Sequence, residues 1–178
     1  PYANGNTDES QMSELAIARI RQLSAHEIGH TLGFAHNFAA STNDRASVMD
    51  YPHPKIDIVD GKISYSNAYA VGIGSWDKTS VQYSYSDFPE GTDETQVLNL
   101  ILEKSIEGGN HFISDQDARP IGGAHPYAHL WDNGKSAVEE YKHLLEVRSI
   151  ALKNFSEDQL RDGEPYSVLN AVSYTHLT

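Results

Sequence analysis

The eleven residues His26-Glu-Ile-Gly-His-Thr-Leu-Gly-Phe-Ala-His36 decide which fold and which chemistry are expected of this chain. They fit the pattern H-E-x-x-H-x-x-G-x-x-H, in which five positions are specified. With average residue usage, a chance match in a chain of this length is expected about once in 10⁵. The pattern therefore indicates a site with a chemical purpose.

The spacing of this motif suits a metal ion. Successive residues of a helix are rotated by about 100°, so His26 and His30 lie on one face, one turn apart, where two imidazoles reach one ion. A catalytic zinc takes three protein ligands and keeps a fourth position open, and the freedom of Gly33 to bend the chain brings His36 back as the third. We predict a zinc site formed by His26, His30 and His36, with Glu27 beside it as general base.

The composition of the chain limits which residues can bind a metal and which partners are expected. Among its 178 residues there is no cysteine, so a metal site has to use histidines and carboxylates. The formal net charge of −12, from 25 acidic and 13 basic residues, disfavours nucleic acid and anionic lipid as partners. No apolar run approaches the roughly 18 residues that a membrane span needs.

Periodicity, start signals and stop signals predict the secondary structure. The predicted helices cover Asp8 to about Gly33, Trp76 to Tyr83 with Ser75 as its cap, Thr92 to Glu107, Lys135 to Asn154, and Ser156 to Gln159 with a capping box. Alternation around Asp60-Gly61 predicts a β-hairpin over Lys55 to Ser66. The stretch from Asn110 to Gly134 lacks periodicity, and its length predicts a functional loop or a cover over a cleft.

The motif and the segment Ser47-Val-Met49-Asp-Tyr51, whose Met49 lies thirteen residues after His36, together resemble the metzincin clan of zinc peptidases. Flanking segments such as Trp131-Asp-Asn-Gly134 are similar to those of a family of large bacterial metzincin-like proteins, and this similarity spans about residues 12 to 165. The resemblance implies an α+β, zincin-like fold. The helical C-terminal part of that fold is expected here, with the N-terminal sheet truncated.

The resemblance also implies roles for residues that follow the motif. Met49 corresponds to the Met-turn residue beneath the zinc site. Tyr51 matches the position where the astacin and serralysin branches place a tyrosine that ligates zinc or hydrogen-bonds the tetrahedral intermediate, although packing alone is an alternative reason for an aromatic residue there. His53 is interpreted either as part of the specificity pocket beside the Met-turn or as part of a rigid surface turn.

The implied function is that of a metalloendopeptidase whose Glu27 activates a zinc-bound water to attack the scissile carbonyl of a peptide or protein. The alternative is a non-catalytic, zinc-containing binding or structural module of a bacterial surface or uptake system. The presence of Glu27 argues against that alternative, because only turnover needs this carboxylate. Members of the resembled family are generally exported, which implies an extracytoplasmic location.

The two ends of the chain are expected to be unnatural. A start at Pro1 indicates truncation, and the last seven residues, Val172 to Thr178, resemble the translation of a sequencing adapter, so His176 is excluded as a ligand. We therefore predict that residues 1–171 form a partial catalytic domain with a helical C-terminal extension.

Two further sets of polar residues lack a recognised pattern. His125 and His129 are four apart, but Pro126 between them favours surface roles over a second zinc pair. Carboxylate oxygens suit calcium, and the residues that offer them are Asp115, Asp117 and Asp132. Their spacing lacks the glycine and the bidentate glutamate of a known calcium loop, so ordinary turn chemistry is the favoured interpretation.

Overall fold

The computed structural model describes residues 9–118, 120–122, 125–160 and 162–172, so Asp8 and the tail from 173 to 178 lie outside the described residues. The elements in chain order are α1 (Glu9–Thr31), β1 (Asp57–Val59), β2 (Lys62–Ser64), α2 (Ser75–Tyr85), α3 (Glu94–Glu107), α4 (Asp115–Ala118), α5 (Ala137–Lys153) and α6 (Ser167–Val172), with 3₁₀ turns at Ala40–Asn43 and Glu157–Gln159. The fold is α+β and zincin-like, with a small sheet, as predicted.

The long helix α1 buries a polar face. Gln22, His26 and Gly29 are buried, and they recur at intervals of four and three residues on one side of the helix. Of the apolar residues whose spacing predicted the helix, Ile20, Leu23 and Ile28 are exposed, while Met12 and Leu15 are half-buried. The buried face of α1 is the face that carries the motif. Packing of this face against the rest of the chain therefore also positions the motif residues.

The end of α1 follows the prediction made from Gly33. This residue has a φ of +86°, in the left-handed region that glycine adopts without strain. Its N–H donates to the carbonyl of His30 at 2.9 Å, and the N–H of Phe34 donates to the carbonyl of Gly29 at 3.1 Å. These two bonds form a Schellman motif, which turns the chain out of the helix axis toward His36.

The predicted hairpin is confirmed. β1 and β2 are antiparallel, with Ile58 opposite Ile63, and Asp60 and Gly61 both have positive φ, as a type I′ turn requires. The inward side of the hairpin packs on α5 in a small apolar core of Ile63, Val147 and Ala151, flanked by Ile56, Ile58, Tyr65 and Ile150. This core holds α5 against the segment that follows the Met-turn.

The start of α2 differs from the prediction. Gly74, not Ser75, occupies the cap position, and the hydroxyl of Ser75 donates to Asn110 Oδ1 at 2.8 Å instead. The reason is a close approach of two backbone segments, because a Cβ added to Gly74 would lie 2.0 Å from the carbonyl oxygen of Ala46. Only glycine fits at this contact.

The remaining helices mostly follow their start signals. Asp93 caps α3 by accepting the N–H of Gln96 at 3.1 Å, and Ser136 caps α5. The turn at Glu157–Gln159 forms, but the predicted capping box is wrong, because the Ser156 hydroxyl donates to Asp158 and makes no capping bond. None of the helices in the described ranges has the length and apolar character needed to cross a membrane.

A buried carboxylate on α2 holds the Met-turn segment in place. Asp77 Oδ1 accepts the Ser47 hydroxyl at 2.5 Å, and Asp77 Oδ2 accepts the N–H of Val48 at 2.8 Å. The same Oδ2 accepts the N–H of Gly74 at 2.7 Å. One side chain thus satisfies three donors from two segments, which fixes the position of the chain beneath α1.

We predict that Asp77→Ala lowers the free energy of unfolding by about 3 kcal/mol, because it leaves buried donors without an acceptor. Denaturant unfolding followed by circular dichroism measures this loss. The control is Asp87→Ala, since the Asp87 side chain is exposed and has no partner among the described residues; a change within about 0.5 kcal/mol is expected there. A loss below about 1 kcal/mol for Asp77→Ala would contradict the assigned role.

Candidate metal centre

The three predicted zinc ligands meet at one point. His30 Nε2 lies 3.1 Å from His26 Nε2 and 3.1 Å from His36 Nε2. The ligand atoms of the three residues all lie within 4.8 Å of one another. Two of these side chains come from one face of α1, and the third comes from the segment that follows the turn at Gly33.

The opposite nitrogen of each ring has a partner that accepts hydrogen bonds. His26 Nδ1 lies 2.7 Å from the carbonyl oxygen of Val48, and His30 Nδ1 lies 2.9 Å from that of Phe34. His36 Nδ1 lies 2.8 Å from Asp115 Oδ2. Because carbonyl and carboxylate oxygens only accept, each Nδ1 carries the hydrogen, and a neutral ring at each position presents an Nε2 lone pair to the common point.

This donor set fits zinc. Ligands at about 2.0–2.1 Å from a tetrahedral zinc lie roughly 3.3 Å from each other, close to the separations observed here. Three converging lone pairs repel one another unless a cation lies between them. Burial lowers the pKa of His26, whose side chain is 1% exposed, and this favours the neutral form that binds metal.

Glu27 is adjacent to the first ligand but does not join the cluster. Its side chain is exposed, and it has no hydrogen bond or ion pair among the described residues. It lies close enough to His26 for its charge to favour the protonated imidazole there. An unpaired carboxylate next to the first of the three histidines is available to accept a proton, and the role of general base stays a prediction.

Met49 packs directly under the ligand-bearing turn of α1. Its side chain is 2% exposed, and a Cβ added to Gly29 would lie 2.2 Å from its sulfur atom. The carbonyl of Met49 also accepts the N–H of Asn37 at 3.0 Å, next to the third ligand. Met49 therefore contacts both parts of the chain that supply histidines, and its role as the Met-turn residue stays a prediction.

Tyr51 lies between the cluster and an exposed tryptophan. Its ring centroid is 4.9 Å from that of His26 and 4.8 Å from that of His36, and the hydroxyl has no partner among the described residues. On the other side of Tyr51, the ring centroid of Trp131 lies 5.6 Å from that of Tyr51. The backbone N–H of Trp131 donates to the backbone carbonyl of Tyr51 at 2.8 Å. Trp131 is 57% exposed and has a φ of +60°, which is a strained conformation for such a residue.

Behind the Met-turn lies a pair of carboxyl groups. Burial raises the pKa of Asp50 to about 7, and the charge of Asp132 adds to this rise. Burial also raises the pKa of Asp132, whose Oδ1 has no hydrogen-bond partner among the described residues. Between an unfolded pKa of about 3.9 and a folded pKa of about 7, the folded chain holds a proton that the unfolded chain has released. The contribution of Asp50 to stability therefore falls as pH rises through this window.

The other residues considered from the sequence do not form a second metal site. His125 Nδ1 accepts the N–H of Tyr127, and His129 Nε2 contacts the carbonyl of Pro126. Within the described ranges, the three motif histidines are the one group of three or more candidate ligands. His53 Nε2 lies 3.0 Å from Glu140 Oε1 of α5, and the choice between a pocket role and a rigid turn stays open.

Sequence reasoning missed the residues that support the cluster from a distance. Asp115 was considered as a calcium ligand and assigned to ordinary turn chemistry, and Asn37 and Asp77 were given no individual role. Asp115 lies 79 residues from its partner His36, and Asp77 lies 29 residues from Val48. No periodicity or motif in a single sequence connects such positions, although Asp77 does fall in the first turn of a predicted helix.

Two of the histidines lie on one helix, the third follows a glycine turn, and a methionine packs beneath them. This arrangement is that of a metzincin centre. Comparison with protein families agrees, because the sequence profile of the Met-zincin family matches residues 8–178. The chain belongs to the Met-zincin family. No curated protein and no solved structure matches it significantly.

We predict that Gly29→Ala lowers the free energy of unfolding by about 1–3 kcal/mol, because the new methyl group overlaps the Met49 sulfur in a buried contact. In an ordinary helix interior the same change stabilises by roughly 0.5–1 kcal/mol. In a Met49→Ala background the overlap is gone, so Gly29→Ala should become neutral or stabilising. Denaturant unfolding of the four proteins in this double-mutant cycle measures the effect, and stabilisation by Gly29→Ala in the presence of Met49 would contradict the contact.

Proposed function

We propose that this chain carries the centre of a metalloendopeptidase, in which zinc held by His26, His30 and His36 serves the hydrolysis of peptide bonds. The observation that supports this proposal is the convergence of three Nε2 atoms, with the unpaired, exposed carboxylate of Glu27 adjacent to the first of these histidines. Membership of the Met-zincin family supports a metallopeptidase-like fold for the same residues.

When bound, zinc supplies a Lewis acid that polarises the scissile carbonyl and lowers the pKa of a water molecule toward about 7. Glu27 takes one proton from the attacking water as the new bond from oxygen to the carbonyl carbon forms. It then delivers that proton to the amine nitrogen as the bond between carbon and nitrogen breaks. These two proton transfers need a carboxylate that has no other partner. Glu27 meets this condition among the described residues.

Tyr51 is the second catalytic residue that we propose. Its ring lies against two of the three histidines, and its hydroxyl is not engaged by any described residue. A phenol in this position can donate a hydrogen bond to the oxyanion that develops on the scissile carbonyl. Contact with Trp131 on the far side holds the ring in one orientation.

The substrates that we propose are peptides or proteins, and the proposed location is outside the cytoplasm, in a bacterium. Both rest on the similarity of the motif and its flanking segments to exported bacterial metzincin-like proteins. A binding module that holds zinc without turnover would need the same three histidines but no free carboxylate. The exposed and unpaired state of Glu27 therefore favours the enzyme over the module.

We predict that Glu27→Ala reduces peptide cleavage by about 10²–10⁴-fold, because the attacking water loses its proton acceptor. The assay uses the zinc-loaded chain and a library of quenched fluorescent peptides, and zinc content is measured on the same samples. Glu27→Ala should keep its zinc, since Glu27 contacts none of the Nε2 atoms. Chelation of the wild type should abolish cleavage as well.

The matched control is Glu14→Ala, because Glu14 is exposed on the same helix and lies three turns before the motif. Cleavage by this variant should equal that of the wild type. Unchanged cleavage by Glu27→Ala would contradict the assigned base. A zinc-loaded wild type that cleaves no peptide in the library would favour the non-catalytic module.

A further inference from the structure

Asp115 stands out among the groups that contact the three histidines. It approaches His36 Nδ1 to 2.8 Å, and it is the one charged group among the three Nδ1 partners, the other two being backbone carbonyls. His36 also differs from the other two ligands in its setting. His26 and His30 are held by α1, whereas His36 lies in a segment without regular secondary structure after the helix has ended.

A buried amide explains how Asp115 reaches this position. Asn37, which is 0% exposed, donates from Nδ2 to the carbonyl of His111 at 2.9 Å and accepts the N–H of Ile113 on Oδ1 at 3.2 Å. The backbone of the next residue adds a third bond, from the N–H of Phe38 to the carbonyl of Ile113 at 2.9 Å. These bonds align residues 111–113 beside the third ligand, and α4 begins two residues later at Asp115.

We infer that Asp115 is a positioning residue for the metal, which acts through His36 and makes residues 111–118 part of the metal centre. The carboxylate accepts the Nδ1 hydrogen, so it selects the tautomer that presents Nε2 and orients the ring toward the other two nitrogens. Its negative charge also strengthens the imidazole as a donor to a cation. This inference rests on the zinc site of the proposed function but not on peptide cleavage.

The coupling between Asp115 and metal binding works in both directions. If Asp115 makes metal binding tighter, metal binding must hold Asp115 and its segment more firmly by the same free energy. The segment belongs to the aperiodic stretch between Asn110 and Gly134, which has one helical turn of its own, α4. Zinc should therefore reduce backbone opening in residues 111–118, far along the chain from the motif.

Zinc affinity of the full chain, measured by competition with a chromogenic chelator at one fixed pH, tests this inference. We expect Asp115→Asn to weaken zinc binding by about tenfold, the lower end of the range for such partners, because the Asp115 side chain is 55% exposed. Asp115→Ala should weaken it further, since asparagine keeps an acceptor oxygen and alanine keeps none. Asp117→Asn is the control, because Asp117 lies on the same helical turn, and its side chain has no partner among the described residues.

Hydrogen exchange provides a second readout that does not depend on activity. Addition of zinc should protect residues 111–118 in the wild type and in Asp117→Asn, and this protection should be reduced in Asp115→Asn. Circular dichroism of the chelated proteins identifies any variant that fails to fold. If Asp115→Ala is such a variant, the nearly isosteric Asp115→Asn decides the question.

The outcomes separate this inference from the proposed function. If wild type and Asp115→Asn bind zinc within twofold of each other, Asp115 is not a positioning residue, while the zinc peptidase proposal is untouched. If the wild type binds no zinc, both are overturned. If zinc binding responds to Asp115 and no peptide is cleaved, the inference holds and only the catalytic proposal fails.

Discussion

The convergence of three imidazole Nε2 atoms on one point is the constraint on which the rest of this structure depends. Each ring presents Nε2 inward because its Nδ1 is hydrogen-bonded on the outer side. The partner is the Met-turn for His26, the segment after α1 for His30 and the carboxylate of Asp115 for His36. The three anchors lie in different parts of the chain. Building the site therefore requires α1, the Met-turn and residues 111–118 to be assembled together, and a cation bound between the rings would stabilise all three contacts.

This constraint explains why α1 buries polar and small residues. Its inward face has to accommodate the rings and the close approach of Met49 to Gly29, so large aliphatic side chains are excluded from it. Buried apolar side chains lie elsewhere. One group comprises Phe38 and the Met-turn residues Val48 and Met49, and the other is the small core between the hairpin and α5. Asp77 and Asn37 link these regions through buried hydrogen bonds, and so the ligand geometry depends on residues that never touch a ligand.

Local signals in the sequence predict the secondary-structure elements and the three histidines that converge. Helical spacing, Gly33 and the Asp60-Gly61 turn act over a few residues, and the structure has the long helix, its end and the hairpin where they indicate. The cap of α2 was mispredicted because a backbone contact with Ala46 selects glycine there. Asp115 could not be assigned from the sequence, because its role depends on contacts made across 79 residues. The apolar spacing of α1 predicts the helix correctly but not which of its faces is buried.

The most direct measurement of the central claim is X-ray absorption at the zinc edge of the zinc-loaded chain. If the three Nε2 atoms hold the metal, the spectrum should show three imidazole nitrogens at about 2.0–2.1 Å, with one further oxygen or nitrogen ligand completing the shell and about one zinc per chain. Replacement of any one of His26, His30 or His36 should remove an imidazole from that shell. A shell of oxygen ligands without imidazole scattering, or a wild-type chain that retains no zinc after gel filtration, would contradict the claim.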